Sequence, residues 1–173
     1  MSNLEKIVVS DDYSLKELSI EDKEIVLDAA IRCADYFMLH DNKLPEMSDV
    51  ERIFESLPPK KEYEDKWVFG LFKDDYLIGV IDVVKDYPVN SQWIIGLMIV
   101  DKTYRGNGLG ATVHSALTSW AKTKGAESFR VGSIKKNLGG NRFWLAQGYQ
   151  KIKESEISFT NLTHKTNVMV LEL

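Results

Sequence analysis

Cysteine is nearly absent. Cys33 is the one thiol in 173 residues, so no disulfide can form within the chain. Its place on an apolar helical stripe reads as a packed thiol rather than a nucleophile. Proline is scarce, and the chain holds no repeat, linker or low-complexity segment. No apolar run approaches the ~20 residues that a membrane span needs. The opening MSNLEKIVVSDDYS has no apolar stretch of signal-peptide length, so a cytoplasmic protein without a membrane partner is expected. Positive charge is not in excess: 22 Lys and Arg face 26 Asp and Glu, a net −4. That balance argues against a non-specific nucleic-acid binder. No metal site is expected.

What is present is ordinary globular composition, 44% hydrophobic and 28% charged. At this length one domain, residues 1–173, is the default, and it can bury about 70% of its unfolded surface. Ile7–Val9 and Tyr13–Leu18 read as a first strand region. Ser19, with Asp22 three residues on, starts a helix whose apolar face is Ile25, Ala29, Cys33 and Phe37, running to about Leu39. Ser48 and Glu51 form a capping-box pattern for a second helix, which Pro58-Pro59 must end. Trp67–Phe72 and Tyr76–Val84 flank the turn Asp74-Asp75, and a third strand covers Gln92–Val100. A helix from Leu109 to about Lys122, a strand over Ser128–Ser133, a short helix over Gly140–Gln147 and a final hairpin around Asn161 complete the order. This is an α/β (α+β) domain with one mixed sheet of about seven strands and about four helices.

The stretch from Met98 to Gly110, MIVDKTYRGNGLG, is the centre of the pattern. A strand, a glycine-rich turn and a helix start make an anion site, because the first helical N–H groups lack partners and the helix dipole favours negative charge. Glycine lets a phosphate approach the backbone, and Arg105 adds a charged fork suited to phosphate oxygens. No Gly-Lys-Ser/Thr follows, which excludes the P-loop, and the glycines at 106, 108 and 110 do not have G-x-G-x-x-G spacing. A different nucleotide-binding domain with the same loop stays open.

Arg105-x-x-Gly108-x-Gly110, after a strand ending Met98-Ile99-Val100, resembles the acetyl-CoA signature of the GNAT N-acetyltransferases. About thirty residues on, Asn137-Leu-Gly-Gly140-Asn141-Arg-Phe-Trp144, closing at Gly148-Tyr149, resembles that family's second motif. The resemblance implies a GNAT fold and acetyl-CoA as co-substrate. It implies a pyrophosphate held by the backbone of Arg105, Gly106, Asn107, Gly108, Leu109 and Gly110. Met98, Ile99 and Val100 would lie beside the thioester, and Asn137, Gly140, Asn141 and Trp144 beside the pantetheine arm. Many relatives carry a tyrosine acid at the position of Trp144, and an indole cannot serve as one. The implied reaction is direct attack of an unidentified amine on the thioester. The alternative is a CoA-binding sensor or scaffold that does not turn over.

That reaction needs a base for the amine. Asp82, a carboxylate in the apolar strand IGVIDVV, is the catalytic candidate, with a satisfied buried aspartate as the competing reading. Asp35 and Tyr36, at the end of the first long helix, and Trp93 are candidates for the acceptor site, against a solvated helix end and a core tryptophan. His114, one residue off the apolar stripe of the central helix, reads as a satisfied or surface histidine, and His40 and His164 have no motif context. A homodimer is compatible with the composition.

Overall fold

The protein is described by a computed structural model covering residues 3–173. Eight strands form one sheet in the order β1-β2-β3-β4-β5-β6-β8-β7. They are β1 (Lys6–Val8), β2 (Tyr13–Glu17), β3 (Lys66–Lys73), β4 (Tyr76–Val84), β5 (Gln92–Val100), β6 (Ser128–Ile134), β7 (Gln150–Ser158) and β8 (Thr163–Glu172). The helices are α1 (Lys23–Arg32), α2 (Ala34–Asp41), α3 (Met47–Glu55), α4 (Leu109–Thr123) and α5 (Leu138–Ala146). The mixed α/β expectation holds, with one strand and one helix more than expected. The first strand region is two strands, which pair antiparallel with Ile7 opposite Leu15. The long first helix breaks at Cys33, whose φ of −104° and ψ of 27° redirect the chain into α2. No helix among the described residues is long and apolar enough to cross a membrane.

Ser19 and Asp22 do form a capping box, but it opens a single 3-10 turn that leads into α1. The buried face of α1 is Val26, Ala29 and Ala30 rather than one that includes Ile25, which is exposed. The cap of α3 also lies two residues earlier than expected. Glu46 and Asp49 make the reciprocal bonds there, because a carboxylate accepts the free N–H groups as well as a hydroxyl does.

Two apolar layers enclose the sheet. On one face α4 packs Leu109, Val113 and Leu117 against Phe69, Ile81, Trp93 and Phe129. On the other, α1 to α3 place Val26, Ala29, Cys33 and Val50 against Val68, Val80 and Ile99. Burial on both faces explains why β4 reads as a continuous apolar run rather than an alternating one.

The feature that makes a site is in β5. Asp82 pairs with Leu97 and Val83 with Ile95, which leaves Gly96 as the extra residue of a β-bulge. The bulge flips the alternation: Trp93 and Ile95 face the α4 layer before it, whereas Leu97 and Ile99 face the α1–α3 layer after it. It also ends the sheet locally. β5 and β6 run parallel and pair only from Gln92–Ile95 with Ser128–Val131, then part.

Candidate functional site

The gap between the parted strands is a cleft of about 890 Å³. Gly96 to Val100 form one wall, with the turn at Arg105, Gly106 and Gly108 above them. Gly132, Ser133, Asn137, Gly140 and Trp144 form the other wall, and Asp35, Tyr36, Leu39 and His40 of α2 close one end. Beyond Ile95, β5 has no strand partner on its β6 side among the described residues. Alternate backbone N–H and C=O groups of residues 96–100 therefore face the cleft.

The turn between β5 and α4 is fixed from below. Asp101 is buried, takes an ion pair from Arg32 and accepts the Thr103 N–H at 2.9 Å. Arg32 also donates to the Leu77 carbonyl at 2.7 Å. Gly106 and Gly108 sit at φ of +84° and +82°, the left-handed region. A Cβ added to either would meet no atom of the described residues within 4 Å, so the space above both is open. Gly108 is the N-cap of α4, and the Asn107 Oδ1 accepts the Leu109 N–H at 3.2 Å. The N–H groups of Gly110 and Ala111 have no intrahelical acceptor. Gly110 has a packing reason as well: a Cβ there would stand 3.0 Å from the Phe143 ring of α5. An open cradle of this kind, with free amides at the positive end of a 15-residue helix, fits a phosphate-bearing ligand.

Arg105 departs from expectation. Its Nε donates to the Val100 carbonyl at 2.7 Å, and its two terminal nitrogens grip Asp35 at 2.6 and 3.0 Å. The fork expected for phosphate is thus engaged by α2. The bond from Arg105 holds the Asp35 carboxyl below the usual range. Asp35 does reach the cleft, as expected, but as the partner of this arginine.

On the opposite wall, Asn137 caps α5 by accepting the Gly140 N–H at 2.9 Å. Trp144 lines the cleft and packs edge-on against Phe143 and Tyr149, with ring centroids 4.9 and 5.1 Å away. Asn141 does not line it. Its amide donates to the Ile134 and Lys135 carbonyls and its oxygen accepts from Asn167, so it ties α5 to the sheet.

Two candidates lie elsewhere. Trp93 was a candidate for an acceptor wall against a core tryptophan, and the core reading holds: it has no exposed surface and stacks on Trp67 at 5.4 Å in the α4 layer. It lies in the part of β5 that is still paired with β6, below the gap, so its side chain is enclosed in that layer. Asp82, the expected base, does not line the cleft either. Its Oδ2 sits behind Gly96, 3.0 Å from where a Cβ there would stand, and 3.4 Å from the buried Lys66 ammonium. Burial pushes its carboxyl up to about 6, against the opposing pull of Lys66. The folded state thus holds this proton to about pH 6, whereas the unfolded chain releases it near 3.8. The linked stability is present in full below the unfolded value and is lost as pH rises through about 6, a swing of about 3 kcal/mol. Urea titrations from pH 3.5 to 7.5 should show this fall in wild type and a flatter profile in Asp82→Asn. Parallel profiles would show that Asp82 does not titrate there.

The sequence offered no motif for three residues that the fold makes relevant. Ser133 lines the cleft with a buried Oγ that has no partner among the described residues. Gly96 is the bulge itself. His40 lines the α2 end of the cleft under a stacked Tyr36 ring at 3.8 Å. By contrast, His114 is bonded through Nε2 to the Tyr149 hydroxyl at 2.8 Å, and burial lowers its pKa to about 4. Burial also raises the Cys33 thiol to about 11, which leaves it protonated and inert.

Residues 32–149 match the Acetyltransferase (GNAT) family. The chain belongs to that family. The GNAT match spans both strands of the cleft, the glycine turn and α5. A relative from Bacillus subtilis (strain 168), the uncharacterized N-acetyltransferase YobR, is 30% identical over 106 residues. That match covers 60% of this chain and 39% of the relative. Among solved structures, an acetyltransferase from Thermus thermophilus has a TM-score of 0.76 at 21% identity, covering 94% of this chain and 97% of that one. RimL, a ribosomal L7/L12 alpha-N-protein acetyltransferase in complex with coenzyme A, has a TM-score of 0.78 at 12% identity, with 98% of each chain covered. These likenesses support the GNAT fold.

Proposed function

We propose that the protein is an acetyl-CoA-dependent N-acetyltransferase that transfers the acetyl group to a primary amine by direct attack. The observation that carries this reading is the cleft, with an open glycine cradle at the start of α4 at the point where β5 and β6 part. When bound, acetyl-CoA supplies an activated acyl group on a thiolate leaving group.

The residues of the chain divide the remaining work. Backbone amides of Gly106, Gly108, Gly110 and Ala111, which line the cleft, take the phosphates, while the Leu109 amide is held by Asn107. The Gly96 bulge frees β5 amides, and preorganised N–H groups can polarise a carbonyl in the cleft. Asn137 and Trp144 shape the opposite wall. Asp35 and Tyr36 form the acceptor end, and Asp82 sets the bulge from behind. A side-chain acid is not required at Trp144, because a thiol of this type has a pKa near 8.5 and water can protonate it.

Acetyl-CoA at a hundredfold excess over Kd should stabilise the fold by about 2.7 kcal/mol. That corresponds to a rise in Tm of roughly 5–10 °C. Thiol release is then followed with an amine panel that includes a free N-terminal peptide, the acceptor class of the RimL neighbour. No thermal shift would overturn the reading. A shift without thiol release from any amine would favour a CoA-binding sensor.

A further inference from the structure

We propose that His40 is the general base that deprotonates the acceptor amine, an assignment that rests on the N-acetyltransferase reading. Its imidazole is held as a single tautomer. Nδ1 lies 2.7 Å from the Tyr36 carbonyl, which can only accept, so Nδ1 carries the proton. The basic lone pair is therefore on Nε2. Among the described residues no group bonds that nitrogen. His40 lines the cleft at the end formed by α2.

The ring is also held rigidly. Tyr36 stacks on one face at 3.8 Å, and Phe159 meets it edge-on at 5.7 Å. His164 of β8 donates from Nε2 to the His40 carbonyl at 2.7 Å, which fixes the backbone beneath the ring. The neighbouring Asp41 accepts the Asn161 and Leu162 N–H groups and so pins the β7–β8 turn to the end of α2. A base needs a fixed orientation and a neutral ground state. Burial and the nearby His164 hold the His40 pKa below the ordinary imidazole value, so the ring is neutral at pH 7. The other ionisable group against the ring is Tyr36, whose phenol burial raises to about 12 and keeps neutral. The Asp35 carboxylate at the same end of the cleft is already neutralised by Arg105.

One proton of the acceptor ammonium moves to His40 Nε2 and on to solvent. The amine nitrogen forms its bond to the carbonyl carbon, the C–S bond breaks with its electron pair on sulfur, and the second amine proton ends on the thiolate. One ammonium and one thioester give one amide, one thiol and one released proton.

Two arms test this. Diethyl pyrocarbonate acylates an imidazole only where its nitrogen is unprotonated and accessible, and peptide mapping by mass spectrometry separates that label from labels on amines and phenols. His40 should be labelled at a rate that rises with pH to a plateau, with a midpoint below 6.5. Absence of label on His40 overturns the proposal, whatever the activity. In the second arm, thiol release from acetyl-CoA is followed with spermidine, with a tripeptide starting in serine, and with water alone. His40→Gln should lower kcat roughly 10²–10⁴-fold, as loss of a general base does. It should also remove the acidic limb of the kcat/KM profile and leave the acetyl-CoA thermal shift in place. Turnover within about threefold of wild type, or a retained acidic limb, overturns it. Wild-type protein that shows the thermal shift but releases thiol with none of these acceptors overturns it together with the N-acetyltransferase reading. Loss of the thermal shift in wild type instead marks failure of the N-acetyltransferase reading itself.

Discussion

Gly108→Val is expected to raise the Kd for CoA at least about a hundredfold while the protein stays folded. Two effects act at one position. The residue sits at φ of +82°, which costs a non-glycine residue roughly 1–2 kcal/mol and a β-branched one more. The new Cβ would clash with nothing among the described residues, because it meets no atom within 4 Å. The side chain would instead fill the open space of the cradle and cover the amides at the start of α4. Gly125 provides a matched control. It has φ of +97° and similarly open surroundings, but it lies past the other end of α4 and outside the cleft. Gly125→Val should therefore show a comparable loss of Tm with CoA affinity near wild type. Calorimetric titration of both variants separates backbone strain from an obstructed cradle. Equal affinities in the two would show that Gly108 does not border the phosphates.

The glycine turn was legible in the sequence because its chemistry is local. A strand, a turn and a helix start within 13 residues place the amides without help from elsewhere. Asn137 entered only through the resemblance to the second motif, and its role as the cap of α5 came with the structure. The parts that were not legible depend on residues distant in sequence. Nothing near Arg105 announces Asp35, 70 positions earlier, and a single-helix reading through Cys33 conceals the change of direction that brings α2 over the cleft. His40 acquires its setting from Phe159 and His164, far along the chain. The eighth strand was hidden for a simpler reason: β1 has only three residues, too few to show a period.

At Gly96 the sequence misleads by a single residue. A strict alternation through Gln92–Val100 gives Trp93 and Leu97 one face, whereas the extra residue puts them on opposite faces. This reversal moves Trp93 from a wall of the cleft to the centre of the α4 layer, where it predicts a large effect on stability. Trp93→Ala should cost about 3–5 kcal/mol, the usual penalty for emptying a large buried aromatic site. At roughly 2–4 °C per kcal/mol for a domain of this size, Tm should fall by about 10 °C. The ring stacks on Trp67 and meets Trp120 edge-on at 5.7 Å, so neither neighbour can close the void without losing its own contacts. Trp93→Phe should be much milder. The indole N–H is buried without a partner among the described residues, and removing that orphan donor offsets part of the lost volume. Both variants, assayed well below their Tm, should keep the thermal shift on acetyl-CoA and turnover near wild type, because the side chain does not reach the cleft. A residue of the acceptor wall would behave in the opposite way, with Tm nearly unchanged and KM for the amine raised. A fall of less than about 3 °C in Trp93→Ala, together with a changed KM, would return Trp93 to the acceptor site and refute the strand register drawn through Gly96.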